Sequence, residues 1–222
     1  MFNWDESKIH EKKNFISKDE SNIIISYAEK IASKDKYSNV INQYERIVFP
    51  FAGIKDKEVK DLIVELEKRA YSFIIGEYAS SHGLRVTRLN WKRDLEIVKW
   101  TGGGLQPHRD GHDSIPKENP LGLGLPLSSL IYLTDDFDGG ELNFDDFNYR
   151  FKPSAGSLCI FPSFYMHEVE SMSIKDGTVG RYTLPFFHGF DVRKYDAEFL
   201  EEPNHGGYEY GDKSLDEIVL HK

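Results

Sequence analysis

Cysteine is almost absent from this sequence, whose 222 residues contain only Cys159. A single thiol excludes an internal disulfide framework. Cys159 lies in the apolar run 157–161, and this setting favours a small core residue over a reactive nucleophile. Basic residues are outnumbered by acidic ones, 28 to 37, which gives a net charge of −9. An acidic chain is poorly suited to phosphate backbones, so we do not expect nucleic acid as the main substrate.

Long hydrophobic runs are missing as well. No stretch approaches the roughly 20 apolar residues that span a membrane, and residues 1–14 are too polar for a signal peptide. We therefore expect a soluble, cytoplasmic protein without membrane contact. The hydrophobic content of 39%, with 14% aromatic residues, is sufficient for a sizeable core. The length is compatible with one domain covering residues 1–222.

The first third of the chain has helical patterns. Ser17 and Glu20 form a capping signal before an apolar stripe that runs to Ile31. A second helix is predicted over residues 57–81, where apolar residues recur at intervals of three and four and Gly83 follows as a stop. Residues 1–83 are thus predicted to be a helical support region.

After residue 83 the pattern changes to short β-branched and aromatic runs between turn residues. Candidate strands are 84–91, 95–100, 127–134, 141–144, 148–152, 157–161, 168–171 and 181–189. This spacing favours an α+β, mainly β fold, with residues 84–190 as a double-stranded β-helix (jelly roll) and the helices packed on one sheet. Residues 191–222 are predicted to be a polar tail that ends in a short helix.

His108 and Asp110 are the most informative pair in the chain. On a strand, residues i and i+2 point to the same face, so both side chains can reach one ion. A later histidine would complete two imidazoles and one carboxylate, the set that suits non-haem Fe(II) and leaves three positions open. The pair alone is weak evidence, because chance supplies such spacings. The glycines at 102–104 before it are predicted to form a turn that presents His108.

Other elements follow the pair in a characteristic order, and together they resemble the 2-oxoglutarate- and Fe(II)-dependent dioxygenases of the prolyl 4-hydroxylase type. The resemblance covers about residues 95–189. It is carried by the glycine-rich segment 102–104, His108-x-Asp110, Tyr132-Leu133, Gly139-Gly140-Glu141-Leu142-x-Phe144, Lys152-Pro153-x-x-Gly156, His167 and Gly180-Arg181-Tyr182. Each element is common by itself, whereas their ordered conjunction is specific.

The resemblance implies a role for each matching residue. His108, Asp110 and His167 fall on the positions of the iron ligands, and Arg181 falls on the basic residue that binds the far carboxylate of 2-oxoglutarate. Arginine suits that role, since it keeps its charge and forks onto a carboxylate. Further cosubstrate contacts are expected from residues that match or neighbour the pocket, namely Trp100, Tyr132, Leu142 and Thr183. Trp100 departs from the tyrosine that many members carry there.

The implied activity is hydroxylation of a C–H bond, with O2 as oxidant, release of succinate and CO2, and L-ascorbate as reductant. We predict a peptidyl proline as substrate, and the alternative is a free amino acid or another small molecule. Two further classes are a zinc hydrolase, which has no need for Arg181, and a non-catalytic jelly-roll binding module. The oligomeric state is left open.

Several residues are predicted to lie outside the site. His188 falls on the face opposite Arg181, which favours a surface or core role, and Arg109 points away from the ligands. His10 and His82 are expected to be solvated, as are His205 and His221. His112 is expected in a loop, and the segment 111–126 is predicted to be a lid over the substrate. The acidic run 135–138 is expected to be an exposed turn rather than a Ca²⁺ site.

Overall fold

A computed structural model of the protein describes residues 6–32, 44–82, 84–92, 95–110 and 125–194. The predicted tail beyond residue 194, the lid at 111–126 apart from the backbone of its last two residues, and Gly83, His112, His205 and His221 lie outside the described residues. No helix in the described ranges is long and apolar enough to cross a membrane.

Two helical segments lie in the first third of the chain, as predicted. Helix α1 (Lys18–Ala32) begins with a reciprocal cap in which Glu20 N donates to Ser17 Oγ at 3.2 Å and Ser17 N donates to the Glu20 carboxylate at 2.7 Å. Helix α2 (Lys57–Phe73) begins at Asp56, which accepts hydrogen bonds from the next turn. It continues through a π-helical turn (Ile74–Tyr78) into α3 (Ala79–Ser81).

Eleven strands join into one curled antiparallel sheet within the described residues. They are β1 (His10–Lys12), β2 (Tyr44–Pro50), β3 (Leu84–Lys92), β4 (Glu96–His108), β5 (Leu125–Tyr132), β6 (Phe137–Gly139), β7 (Leu142–Phe144), β8 (Tyr149–Phe151), β9 (Leu158–Pro162), β10 (His167–Ile174) and β11 (Arg181–Lys194). Short 3-10 turns occupy Glu6–Lys8, Phe51–Gly53 and Asp145–Phe147.

The sheet folds into the two layers of a jelly roll, which confirms the predicted fold class. The strand order is β1-β9-β5-β11-β4-β10-β7-β8, with β2 beside β4, β3 beside β11 and β6 beside β10. Strand β4 belongs to both layers. Its first part pairs with β2 and β11, whereas its last part pairs with β10.

The glycines at 102–104 are therefore not a turn, and this prediction was wrong. They lie inside β4, where the strand passes from one layer to the other and Gly103 takes a left-handed φ of 71°. A side chain at Gly104 would place its Cβ 2.5 Å from the carbonyl oxygen of Val169 on β10. The glycines thus allow the close approach of β4 and β10.

The region before residue 83 also contributes strands, which the helical pattern did not predict. Strand β1 extends the sheet beside β9, and β2 pairs with β4 along its length. Strand β1 has only three polar residues and no alternation to reveal it. Strand β2 carries the β-branched and aromatic residues Ile47, Val48 and Phe49, which were a usable signal.

The described residues form three apolar clusters, and the two largest lie on opposite faces of the sheet. The outer core joins α1 and α2 to β5, β9 and β11, and includes Ile24, Ile63, Ile131 and Leu184. The helices thus pack on one sheet, as expected. The inner core, between the layers, includes Cys159, whose side chain is fully buried. Burial raises the pKa of the Cys159 thiol, which agrees with its prediction as an inert core residue.

Gly104→Ala should weaken the junction of β4 with β10. Relief of a 2.5 Å contact with a backbone atom requires the strands to separate, so we expect the free energy of unfolding in urea to fall by about 1–3 kcal/mol. Gly76→Ala is the matched control, because its Cβ would meet no atom within 4 Å. Equal stability of the two variants would contradict the close approach.

Candidate metal and cosubstrate site

Three side chains that could hold a metal ion converge between the layers. His108 ends β4, Asp110 follows it by two residues, and His167 begins β10. One ligand atom from each lies within 4.8 Å of the others. His108 pairs directly with His167 across the two strands, which brings the imidazole centroids to 4.4 Å. The Nε2 atoms of His108 and His167 lie 3.3 and 3.4 Å from the Asp110 carboxylate oxygens.

These separations fit an octahedral ion. Metal–ligand bonds of about 2.1 Å at right angles place neighbouring donor atoms about 3 Å apart. Two imidazoles and one carboxylate on one face are the donor set that suits non-haem Fe(II). The three residues present therefore fit the metal that the sequence predicts.

The backbone sets the tautomer of both imidazoles. Nδ1 of His108 lies 2.9 Å from the Gln106 carbonyl oxygen, and Nδ1 of His167 lies 2.9 Å from the Tyr165 carbonyl oxygen. A carbonyl oxygen only accepts, so each Nδ1 must carry the hydrogen. In the neutral ring the lone pair then belongs to Nε2, which faces Asp110 in both residues.

The Asp110 carboxylate is ionised near neutral pH. Burial alone would raise the pKa of Asp110, but hydrogen bonds with His108, His167 and Ser128 outweigh that effect and hold the pKa well below its ordinary value. Burial lowers and Asp110 raises the pKa of His108, with a net rise. A proton therefore competes for the same imidazole nitrogen that would bind a metal.

A cavity of about 250 Å³ extends from these three residues to Arg181. Strand alternation explains its wall, because Arg181, Thr183, Pro185 and Phe187 all point inward from β11. The other lining side chains are Arg46, Glu96, Val98, Trp100, Leu105, Leu130, Leu142 and Val169.

Arg181 forms the far end of the cavity as a buried cation. Its side chain is 1% exposed, and its Nε and Nη1 atoms have no hydrogen-bond partner among the described residues. Its guanidinium carbon lies 5.3–5.8 Å from the ring centroids of Trp100, Tyr132 and Phe137. A buried charge with unused donors is unfavourable unless an anion accepts them. The site therefore fits the carboxylate of a ligand such as 2-oxoglutarate.

Tyr132 adds a second polar group beside Arg181. Arg181 Nη2 lies 3.4 Å from the Tyr132 hydroxyl oxygen, which accepts from it. Burial raises the pKa of Tyr132, so the phenol stays protonated and its hydrogen is available to the same anion.

The structure brings together all the residues predicted for the site. Trp100, Leu142 and Thr183 line the cavity, and Tyr132 contacts Arg181. Their contacts with a cosubstrate stay predictions.

The sequence reasoning missed Phe137, Ser128 and Ser163. Phe137 packs over the Arg181 guanidinium. Ser128 Oγ donates to Asp110 Oδ2 at 2.7 Å and lies 2.8 Å from Ser163 Oγ. Ser128 shares the inner face of β5 with Tyr132 by alternation, which was an available signal. Nothing in the sequence indicated that Ser163 lies beside it.

Four residues predicted to lie outside the site do so. Arg109 Nε donates to the Phe164 carbonyl oxygen at 2.9 Å, and His188 lies in the outer core with its ring 4.4 Å from that of Tyr71. His10 and His82 were expected to be solvated, and this was wrong. Both are partly buried, with His10 5.4 Å from the Phe73 ring, because the start of the chain packs against the end of α2.

The family model described as the 2OG-Fe(II) oxygenase superfamily matches residues 95–188, which contain the three candidate ligands and Arg181. This part of the chain is similar to the 2OG-Fe(II) oxygenase superfamily. The match and the three candidate ligands together indicate a 2-oxoglutarate-dependent dioxygenase, and Fe(II) and 2-oxoglutarate are the cofactor and cosubstrate expected in that superfamily. A search of curated protein sequences finds no match.

Several solved structures share the fold of this protein at low sequence identity. A viral collagen prolyl hydroxylase from Paramecium bursaria Chlorella virus-1, in a 2OG complex, is 17% identical with a TM-score of 0.54, covering 84% of this chain and 96% of that one. A Trichoplax adhaerens prolyl hydroxylase in complex with a hypoxia inducible factor peptide fragment is 15% identical with a TM-score of 0.60, covering 82% and 83%.

The same fold also occurs in a relative with another activity. The non-heme alpha ketoglutarate dependent epimerase SnoN from nogalamycin biosynthesis is 11% identical with a TM-score of 0.54, covering 93% of this chain and 90% of that one. At such identities the likeness shows the fold and leaves the substrate open.

Proposed function

We propose that this dioxygenase hydroxylates a C–H bond of a peptidyl proline, with Fe(II) bound by His108, Asp110 and His167. The observation that carries the proposal is the pairing, in one cavity, of this ligand set with the buried guanidinium of Arg181, whose Nε and Nη1 atoms have no hydrogen-bond partner among the described residues. A zinc hydrolase has no use for such an anion site, and a binding module needs no metal ligands beside it.

Each residue has a distinct task in this proposal. Arg181 and Tyr132 bind the far carboxylate of 2-oxoglutarate, while Thr183 adds a hydroxyl and Trp100 and Leu142 exclude water from its carbon chain. The bound metal supplies the oxidative chemistry with O2, which ends in succinate and CO2, and ascorbate serves as reductant.

A peptidyl substrate is supported by the relatives and by the cavity wall. Two structures of similar fold are prolyl hydroxylases, one of them in complex with a peptide fragment. The cavity wall also includes the apolar residues Leu130, Pro185 and Phe187, which suit the ring of a proline.

A second candidate is hydroxylation of a free amino acid or another small amine, and Glu96 is the observation in its favour. Glu96 lines the cavity, is partly buried, and makes no hydrogen bond or ion pair within the described part of the chain. A carboxylate that lines the cavity without a partner among the described residues would favour a cationic group on the substrate.

His167→Ala should abolish turnover of the cosubstrate. Loss of one of three ligands removes the metal, so succinate release from 2-oxoglutarate with Fe(II) and ascorbate should fall to the level without iron. His10→Ala, far from the cavity, should retain the wild-type rate. Iron-dependent succinate release by His167→Ala would contradict the ligand assignment.

Arg181→Ala should raise the KM for 2-oxoglutarate by about 10- to 100-fold, because it removes charged hydrogen bonds to one carboxylate. Arg181→Lys should have a KM between those of the wild type and Arg181→Ala, since lysine retains the charge but cannot donate two parallel hydrogen bonds to one carboxylate. Arg150→Ala is the control, because its exposed side chain pairs with Glu170 on the surface. An unchanged KM in Arg181→Ala would refute the proposal that Arg181 binds the far carboxylate of 2-oxoglutarate.

A substrate screen separates the two candidate functions. We expect proline-rich peptides to stimulate succinate release and to gain one oxygen atom, measured by mass spectrometry, whereas free L-proline and other amino acids should not. Stimulation by free amino acids alone, lost in Glu96→Gln, would favour the small-amine function. No iron-dependent turnover with any compound, and no iron-dependent binding of 2-oxoglutarate, would refute the dioxygenase activity itself.

A further inference from the structure

We propose that Ser128 and Ser163 are positioning residues that orient the Asp110 carboxylate for metal binding through a directed hydrogen-bond relay. The inference rests on the proposed role of Asp110 as a ligand and extends it to two residues that do not touch the metal. The relay would hold the site in shape before an ion arrives.

The direction of the relay follows from counting hydrogens. Ser128 Oγ donates to Asp110 Oδ2 at 2.7 Å, and a serine hydroxyl has only one hydrogen to donate. The 2.8 Å contact between Ser128 Oγ and Ser163 Oγ then has one possible donor, which is Ser163. The chain therefore runs from Ser163 to Ser128 to Asp110, and each bond polarises the next.

The relay occupies one carboxylate oxygen and so fixes the other. Without it, the Asp110 carboxylate could rotate about its Cβ–Cγ bond. With Oδ2 held by Ser128, the carboxylate plane is set, and Oδ1 stays directed towards His108 Nε2 at 3.3 Å. Hydrogen bonds of this kind to ligating carboxylates tune the affinity of metal sites.

The backbone reinforces the same arrangement. Asp110 N donates to the Ser163 carbonyl oxygen at 2.9 Å, and Arg109 Nε donates to the Phe164 carbonyl oxygen at 2.9 Å. Residues 163–165 also hold His167, since the Tyr165 carbonyl oxygen accepts from its Nδ1. The segment before His167 is thus tied to the Asp110 segment at three points, one of which is the relay.

Burial makes the relay sensitive to substitution. Ser128 is 0% exposed and Ser163 is 1% exposed, so water does not replace a lost hydroxyl without rearrangement. The neighbouring Ser129 is equally buried but lies on the opposite face of β5, among the outer-core residues Leu127 and Ile131. Its hydroxyl has no hydrogen-bond partner in the described ranges. Ser129 is therefore a matched control for loss of a buried hydroxyl.

The test is titration of Co(II) into the metal-free protein, followed by visible absorption, which needs no substrate and no turnover. Ser128→Ala should weaken Co(II) binding by about 10- to 100-fold and alter the ligand-field spectrum. Ser163→Ala, which removes the outer donor, should weaken it by a smaller factor. Ser128→Thr, which keeps the hydroxyl, should restore most of the affinity. Ser129→Ala should stay within about twofold of the wild type.

A merely structural role predicts a different pattern. In that case Ser128→Ala would change the free energy of unfolding of the metal-free protein, but its affinity for Co(II) would equal that of Ser129→Ala. Equal affinities would overturn the proposal that the relay orients Asp110. If Ser128→Ala does not fold, wild-type affinity in Ser163→Ala overturns it instead. Failure of the wild type to bind Co(II) would refute the proposed metal site itself, and that outcome is distinct from loss of the relay alone.

Discussion

The antiparallel pairing of β4 with β10 is the contact on which the candidate site depends. It sets His108 opposite His167 and carries Asp110 to the same point, although the segments are far apart in sequence. The pairing is possible because β4 crosses between the layers at three glycines, one of which approaches the β10 backbone too closely for any side chain. Backbone packing therefore decides whether three ordinary side chains form a metal site.

The buried guanidinium of Arg181 is the second constraint. The sheet holds this cation beside three aromatic rings and leaves two of its donor atoms without partners in the described part of the molecule. Such an arrangement destabilises the ligand-free protein but favours the binding of any ligand that has a carboxylate. Arg181, Pro185 and Phe187 line one cavity from the same face of β11, together with the three candidate metal ligands.

Local patterns in the sequence predicted the elements whose signals are local. The capping box at Ser17 and Glu20 marked the start of α1, and alternation along β11 assigned Arg181 and His188 to opposite faces. The three candidate metal ligands and the anion-binding Arg181 were predicted from the ordered motifs, and no single spacing was sufficient.

Features that depend on distant neighbours could not be predicted in the same way. The glycines of β4 resemble a turn until the partner strand is known, because glycine permits both. A role for the Ser163 hydroxyl follows only from its contact with Ser128, which in turn contacts Asp110. No periodicity in the sequence relates these three positions. His10 and His82 were misjudged for the same reason, since a contact between the start of the chain and the end of α2 buries them.

The most direct test of the central claim is an anaerobic crystal structure with Fe(II) and 2-oxoglutarate, in which anomalous scattering locates the iron. The account predicts one iron peak within bonding distance of His108 Nε2, Asp110 and His167 Nε2, and the far carboxylate of the cosubstrate against Arg181. An iron peak away from these residues, or a cosubstrate carboxylate that does not contact Arg181, would contradict it.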